Sequence, residues 1–201
     1  EETVFANTTV YPSQHKSLRV GCEIYRSSVF ARGEIRFCGA CIAGDVKSGR
    51  AIWHAVHRSH WQIRHVSTCI EHHCPLQTVK TNGFMFRNLD SSRVFADHLE
   101  RCGDSSKIEH GPASEFERYL SGRAYGHQHK CWADQLEVFA LFGASEALGL
   151  LIERGPNAKL VYLNRSDTAR FAEMGFKVIE GGPGSLRDCW EAIRKSPSFC
   201  D

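Results

Sequence analysis

The chain has 201 residues, of which 42 % are apolar, 24 % charged and 10 % aromatic. This is ordinary globular composition with room for one large domain or two small ones, and it excludes a disordered tail, a collagen and a coiled coil. A net charge of +2 is too small to announce a nucleic-acid binder, and no stretch approaches the roughly 18 apolar residues of a membrane helix.

Residues 8–66 read as β structure. The segments 20–25, 35–38, 51–57 and 61–66 alternate apolar and polar side chains with a period of two. Arg32-Gly33 and Lys47-Ser48-Gly49 supply turns, and helical periodicity is missing. Residues 84–102 then predict a helix on which Phe86, Leu89, Val94, Phe95 and Leu99 share a face and which Gly103 stops. A second helix spans 114–120, between Pro112 and Gly122, and a third spans 132–148, with Gly143 as its weak point. Strands are expected at 150–153, 160–163 and 177–179, with helices at 168–174 and 185–194. The Gly181-Gly182-Pro183-Gly184-Ser185 run lacks the trailing Gly-Lys-Ser/Thr of a phosphate loop and reads as a strand-to-helix loop capped by Ser185. The overall class is α+β.

The halves differ in chemistry as well as pattern. Residues 1–80 hold ten Lys and Arg against six Asp and Glu, a balance of +4, which leaves −2 for residues 81–201. Seven of the 11 histidines and five of the nine cysteines also precede residue 81. The break predicts a β-rich module at 1–78 and an α/β domain at 79–201. Nine cysteines cannot all pair, and the opening Glu-Glu-Thr-Val-Phe has neither the basic end nor the apolar core of a signal peptide. An intracellular protein, nuclear or cytoplasmic, with reduced thiols and no membrane association is therefore expected.

In a reducing compartment, clustered Cys and His read as zinc ligands before they read as bridges. Cys38-Gly-Ala-Cys41 offers two ligands from one turn, and His72-His-Cys74 offers two more if that segment is extended, because alternate strand residues point the same way. The candidate zinc ligands are Cys38, Cys41, His72 and Cys74, with Cys69, His73 and Cys22 as substitutes. The same cysteines would also serve as small buried apolar residues. Arg36, Phe37, Cys38, Cys41, the segment 61–63 and His72-x-Cys74-Pro75 resemble the zinc-binding WRKY/glial-cells-missing superfamily, which includes FLYWCH modules and the zinc domains of Mutator-type transposases. The resemblance implies a small antiparallel sheet closed by zinc. It also implies DNA or RNA as a partner of residues 1–78, with Arg36, Lys47, Arg50, Arg58 and Arg64 reaching the nucleic acid and Arg19, Arg26 and Arg32 in reserve. Those charges would equally form a solvated face. Trp53 and Trp61 could stack on bases or belong to the core.

In the second half, Trp132 to Glu137 and the Ala-Leu-Gly-x-x-Ile step ending at Ile152 resemble the OTU (ovarian tumour) family of cysteine deubiquitinases. That resemblance implies an α/β scaffold, a structural role for Glu137, and ubiquitin or another protein as a partner of residues 79–201. The family's nucleophile would fall at Phe84, no Cys lies between Pro75 and Arg101, and no His follows His129. The implied protein is a silent deubiquitinase-like binder with no catalytic residue in the family's places. Cys131 with His127 or His129 is the alternative pair, and it would revive an active cysteine protease. A viral or transposon-derived structural or effector protein is the third reading.

Overall fold

The computed structural model describes residues 10–13, 17–20, 23–31, 33–47, 50–80, 91–99, 111–157 and 165–195. The chain divides into two compact units. One comprises Glu1–Ala113 and Arg123–Gly126, the other Ser114–Gly122 and His127–Asp201.

The first unit begins with an antiparallel meander of β1 (Val10–Ser13), β2 (Ser17–Val20) and β3 (Glu23–Arg26). Val10 faces Val20 across the first pair, and Leu18 faces Tyr25 across the second. A second, two-stranded antiparallel sheet joins β4 (Glu34–Phe37) to β5 (Gln77–Lys80), with Ile35 opposite Val79 and Phe37 opposite Gln77. The N-terminal β module is thus two small sheets. Between β4 and β5 the chain forms α1 (Gly39–Val46), two short 3-10 turns, Ile52–His54 and Ser59–Gln62, and an irregular return. α2 (Ser91–Leu99) follows β5 and covers the sheet with Phe95, whose ring meets Phe37 edge-on at 5.1 Å.

Two of the alternating segments are not strands. Residues 51–57 and 61–66 fold as 3-10 turns and irregular chain, and only Ile63 joins a bridge, to Phe30. In the second of them the apolar residues still face inward, because Trp61, Ile63 and Val66 are fully buried. α1 escaped the sequence pattern because it has only eight residues, with Gly39 at its start and Gly44 near its end. The segment 123–126 belongs to this unit through two contacts. Arg123 Nε donates to Glu23 Oε1 at 2.7 Å, and the Tyr125 ring lies 5.0 Å from that of His60.

The described part of the second unit is helical: α3 (Glu115–Ala124, whose last two residues belong to the first unit), α4 (Val138–Arg154), α5 (Arg165–Glu180) and α6 (Gly182–Arg194). A capping box starts α3: the Glu117 N–H donates to Ser114 Oγ at 3.2 Å, and the Ser114 N–H donates to Glu117 Oε2 at 2.9 Å. Glu173 of α5 accepts from the Phe116 N–H at 2.9 Å, which satisfies another orphan donor of the same turn. Phe116, Phe142, Tyr119 and Phe176 form the aromatic core, with ring centroids 4.8 to 5.8 Å apart.

The strands expected at 150–153 and 177–179 lie inside α4 and α5, and the one at 160–163 falls outside the described residues. Their apolar runs are buried helix faces, which periodicity cannot separate from strands over three or four residues. α4 and α5 pack backbone to backbone at Gly149 and Gly175. A Cβ at either glycine would overlap a main-chain carbonyl, that of Phe171 or of Ser145. Gly122 lies within α3 and does not end it. Ser185 does not cap α6, which starts at Gly182.

Candidate metal centre

β4 ends at Phe37, so that Cys38 is the residue preceding the first turn of α1, and Cys41 lies within that turn. Helical spacing of three brings the two thiols to one side. The second pair comes from a tight reversal at 69–74. The His73 N–H donates to the Cys69 carbonyl and the Cys69 N–H to the Cys74 carbonyl, both at 2.8 Å. The reversal needs His73 in the left-handed region, at φ 52°. Because this segment is a turn, residues three apart converge rather than residues two apart. Cys69 and His72 therefore form the second pair, matching Cys38 and Cys41 in spacing.

The donor atoms of Cys38, Cys41, Cys69 and His72 all lie within 4.8 Å of one another. Cys41 Sγ is 3.6 Å from Cys69 Sγ and 3.2 Å from His72 Nδ1, and Nδ1 is 3.7 Å from both Cys38 Sγ and Cys69 Sγ. A zinc tetrahedron with arms of about 2.3 Å to sulfur and 2.0 Å to nitrogen has S···S edges of about 3.8 Å and S···N edges of about 3.6 Å. The three thiols and one imidazole fit that ion in both donor chemistry and spacing. Cys74, the fourth ligand expected from sequence, lies outside this foursome, with its Sγ 3.6 Å from that of Cys38. Among the substitutes, Cys69 is inside the cluster, His73 is exposed, and Cys22 lies outside the described residues.

The electrostatics separate the sulfurs. The thiols of Cys41 and Cys69 stabilise a thiolate at Cys38 and hold its pKa well below the ordinary thiol range, and the same coupling to Cys38 pushes Cys41 up. Burial, then its contact with Cys38, pushes Cys74 up to about 12, so that thiol keeps its proton. Arg58 supplies the nearby positive charge. Burial opposes that charge, but Cys41, Asp45 and Glu71 outweigh it and raise the pKa. Its guanidinium grips both Asp45 oxygens at 3.2 and 3.3 Å, reaches Glu71 at 3.7 Å and lies 4.9 Å from the Trp61 ring centroid. Three thiolates and a divalent ion would sum to −1, and a half-buried guanidinium balances that charge.

This placement corrects two of the expected nucleic-acid contacts. Arg58 is bound into the support of the cluster. Arg36 is only 2 % exposed and donates to the Ile63 and Val66 carbonyls, so no phosphate reaches it. Arg36 was misjudged because a cation on an alternating strand looks solvated when the second face is in fact covered. Lys47, Arg50 and Arg64 are exposed, as are Arg19 and Arg26, while Arg32 is outside the described residues. Trp61 belongs to the core at 0 % exposure, whereas Trp53 is 73 % exposed. Sequence reasoning missed His60. It is 1 % exposed, neither ring nitrogen has a hydrogen-bond partner, and burial lowers its pKa to about 4.

In the second unit, Cys131 is extended and precedes only the four-residue turn Trp132–Gln135, so no helix N-terminus activates it. The His129 ring stacks on Tyr119 at 4.7 Å, and His127 is exposed. Glu137 immediately precedes α4 and is exposed. No described helix is long and apolar enough to cross a membrane.

A β module gathered by two Cys/His pairs is the class that this geometry defines. Residues 2–76 match the TniQ family, which is associated with transposons. The matched stretch contains all four residues of the cluster and ends where β5 begins. No curated protein and no solved structure matches the chain.

Proposed function

We propose that the first unit is a zinc-clamped module of a transposition protein and that it engages nucleic acid, DNA or RNA. The observation that carries this reading is the foursome Cys38, Cys41, Cys69 and His72 inside the TniQ-like stretch, at the spacing a tetrahedral ion requires. Zinc would tie α1 to the 69–74 reversal and fix the loop between β4 and β5. That loop displays Lys47, Arg50 and Arg64 to solvent. Its role is architectural, since four protein ligands leave zinc no open position for chemistry.

For the second unit, whose described part is helical, the reading reduces to binding a partner protein. An OTU-like scaffold would need a strand at 150–153, where α4 runs, and ubiquitin as the partner gains no support from this helical arrangement.

Metal analysis of the full chain should return one zinc per protein. Fluorescence anisotropy with a labelled duplex should give low-salt binding whose log K falls with log salt at a slope of about −2 to −4, as expected for a few neutralised phosphates. Chelation should abolish that binding. A metal-free protein would sink the zinc assignment, and no binding in low salt would sink the nucleic-acid assignment.

A further inference from the structure

We infer that Trp53 is a stacking platform for an unpaired nucleic-acid base, held in a basic rim by the residues around it; this deepens the nucleic-acid reading above and rests on it. Trp53 is the middle residue of the 3-10 turn Ile52–His54. Two backbone bonds close that turn: the His54 N–H donates to the Ala51 carbonyl and the Ala55 N–H to the Ile52 carbonyl, both at 2.9 Å. The turn packs against α1 and α2, so the indole is presented by an anchored segment.

The exposure is selective. Eight residues along the chain, Trp61 is completely buried, yet Trp53 remains 73 % exposed. Among the described residues the other exposed large apolar side chains, Trp190, Ile24 and Phe139, show 49, 46 and 36 %. An indole left in water forgoes the burial that makes Trp favourable in a core, and it offers a large rigid π face to a ligand.

The surroundings choose the ligand. Lys47, Arg50 and His54 are all exposed, and the His54 ring lies 6.3 Å from that of Trp53. The acid nearest in sequence, Asp45, is already engaged by both Arg58 nitrogens and by the Val56 N–H at 2.9 Å. An apolar protein segment would need an apolar rim around the indole. Two exposed cations within six residues of one flat ring, in the loop that the Val56 N–H to Asp45 bond closes, fit an anionic chain carrying flat bases. In a duplex the bases are already stacked on one another, so the fit is to a single strand or an unpaired base, with little preference for sequence.

The test uses the full zinc-loaded chain and anisotropy with three probes of equal length: oligothymidylate, oligouridylate and a blunt DNA duplex. Trp53→Ala should weaken the single strands about tenfold, within the range measured for removal of one base–aromatic stack, and leave the duplex unchanged. Trp53→Phe, which keeps a smaller π face, should lose less. The ratio of the two single-strand effects identifies DNA or RNA as the source of the base. Unchanged zinc content and circular dichroism establish that the variants fold. Equal binding by Trp53→Ala and wild type would overturn the proposal and assign the indole to a protein partner. An equal loss on the duplex and the single strands would overturn it as well. If wild type binds no probe in low salt, the nucleic-acid reading fails and takes this inference with it; if wild type binds duplex and only the Trp53 effect is missing, the inference alone fails.

Discussion

The first unit converges on sulfur, imidazole and guanidinium, whereas the second converges on the rings of Phe116, Phe142, Phe171 and Phe176 and on two glycines that let helices touch. Each described strand of the first unit is only four residues long, and its longest stretch between strands holds just one eight-residue helix and two short 3-10 turns. Such a chain gains little from cooperative ladders and must fix its loops by side chains. The described part of the second unit has long helices with a capped start and a close-packed aromatic core. On the zinc reading proposed above, the first unit is conditional on a cofactor, whereas the described part of the second rests on capped helices and packing.

Metal removal tests that contrast most strongly. Structural zinc contributes roughly 10–16 kcal/mol of apparent binding energy in small finger peptides, as much as the whole stability of a typical domain. Chelation of the full chain should strip hydrogen-exchange protection from amides in 34–80 and leave α4 and α5 protected. Uniform loss across both units would erase the distinction.

Gly175→Ala probes the other side. A Cβ there would overlap the Ser145 carbonyl and crowd the Gly149 nitrogen, both of them backbone atoms that cannot swing away. Forced overpacking of this kind costs roughly 1–3 kcal/mol or more. Gly143→Ala is the control: nothing lies within 4 Å of its Cβ position on the exposed side of α4, so alanine should stabilise the helix by about 0.5–1 kcal/mol. Thermal melts should move in opposite directions while zinc content stays constant. If both variants melt alike, the close helix crossing does not limit stability.

A smaller effect sharpens the first unit through pH. Burial keeps His60 neutral down to about 4, whereas an unfolded histidine takes up a proton near 6.5. Below pH 6.5 the unfolded chain binds a proton that the native chain refuses. The native state thus has its full stability from this group above 6.5 and loses it as pH falls toward 4, by at most about 3 kcal/mol. Acid also attacks thiolate ligands, so the quantity to measure is the difference between wild type and His60→Phe by urea melts. That difference should shift against wild type as pH drops from 6.5 to 4. A difference independent of pH would mean that His60 titrates normally.

Legibility in the sequence followed the same divide. Segments with helical period, such as 114–120 and 185–194, were readable because local chemistry decides them, although the cap expected at Ser185 is not formed. The mixed α+β class and the strand segment 35–38 were readable from alternation, whereas 20–25 spans the end of one strand and the start of the next, Val20 pairing with Glu23. Residues 61–66 misled because irregular chain wrapped around a core also buries every second side chain, and 51–57 misled because a 3-10 turn interrupts its alternation. Arg36 misled because sequence does not reveal which strand faces are covered. The short apolar runs at 150–153 and 177–179 misled because buried helix and buried strand look alike over so few residues.

The metal site was half legible, for a reason that can be tested. Cys38-x-x-Cys41 was found because a helical or turn-like pair needs spacing three, but the partner pair was read as extended, which favours His72-x-Cys74. Cys69-Ile-Glu-His72 has the same spacing as the first pair, and that repetition was the available signal. The two alternatives make opposite demands. With the foursome of Cys38, Cys41, Cys69 and His72, Cys69→Ser removes a ligand and should drop zinc occupancy sharply in competition with a chromophoric chelator. Cys74→Ser then removes only a protonated sulfur beside Cys38, and its effect should stay within the roughly 10–100-fold of outer-sphere changes, nearer the lower end. The reverse order would seat the ion on Cys74, and the 69–74 segment would have to open into the extended form that the sequence pattern suggested.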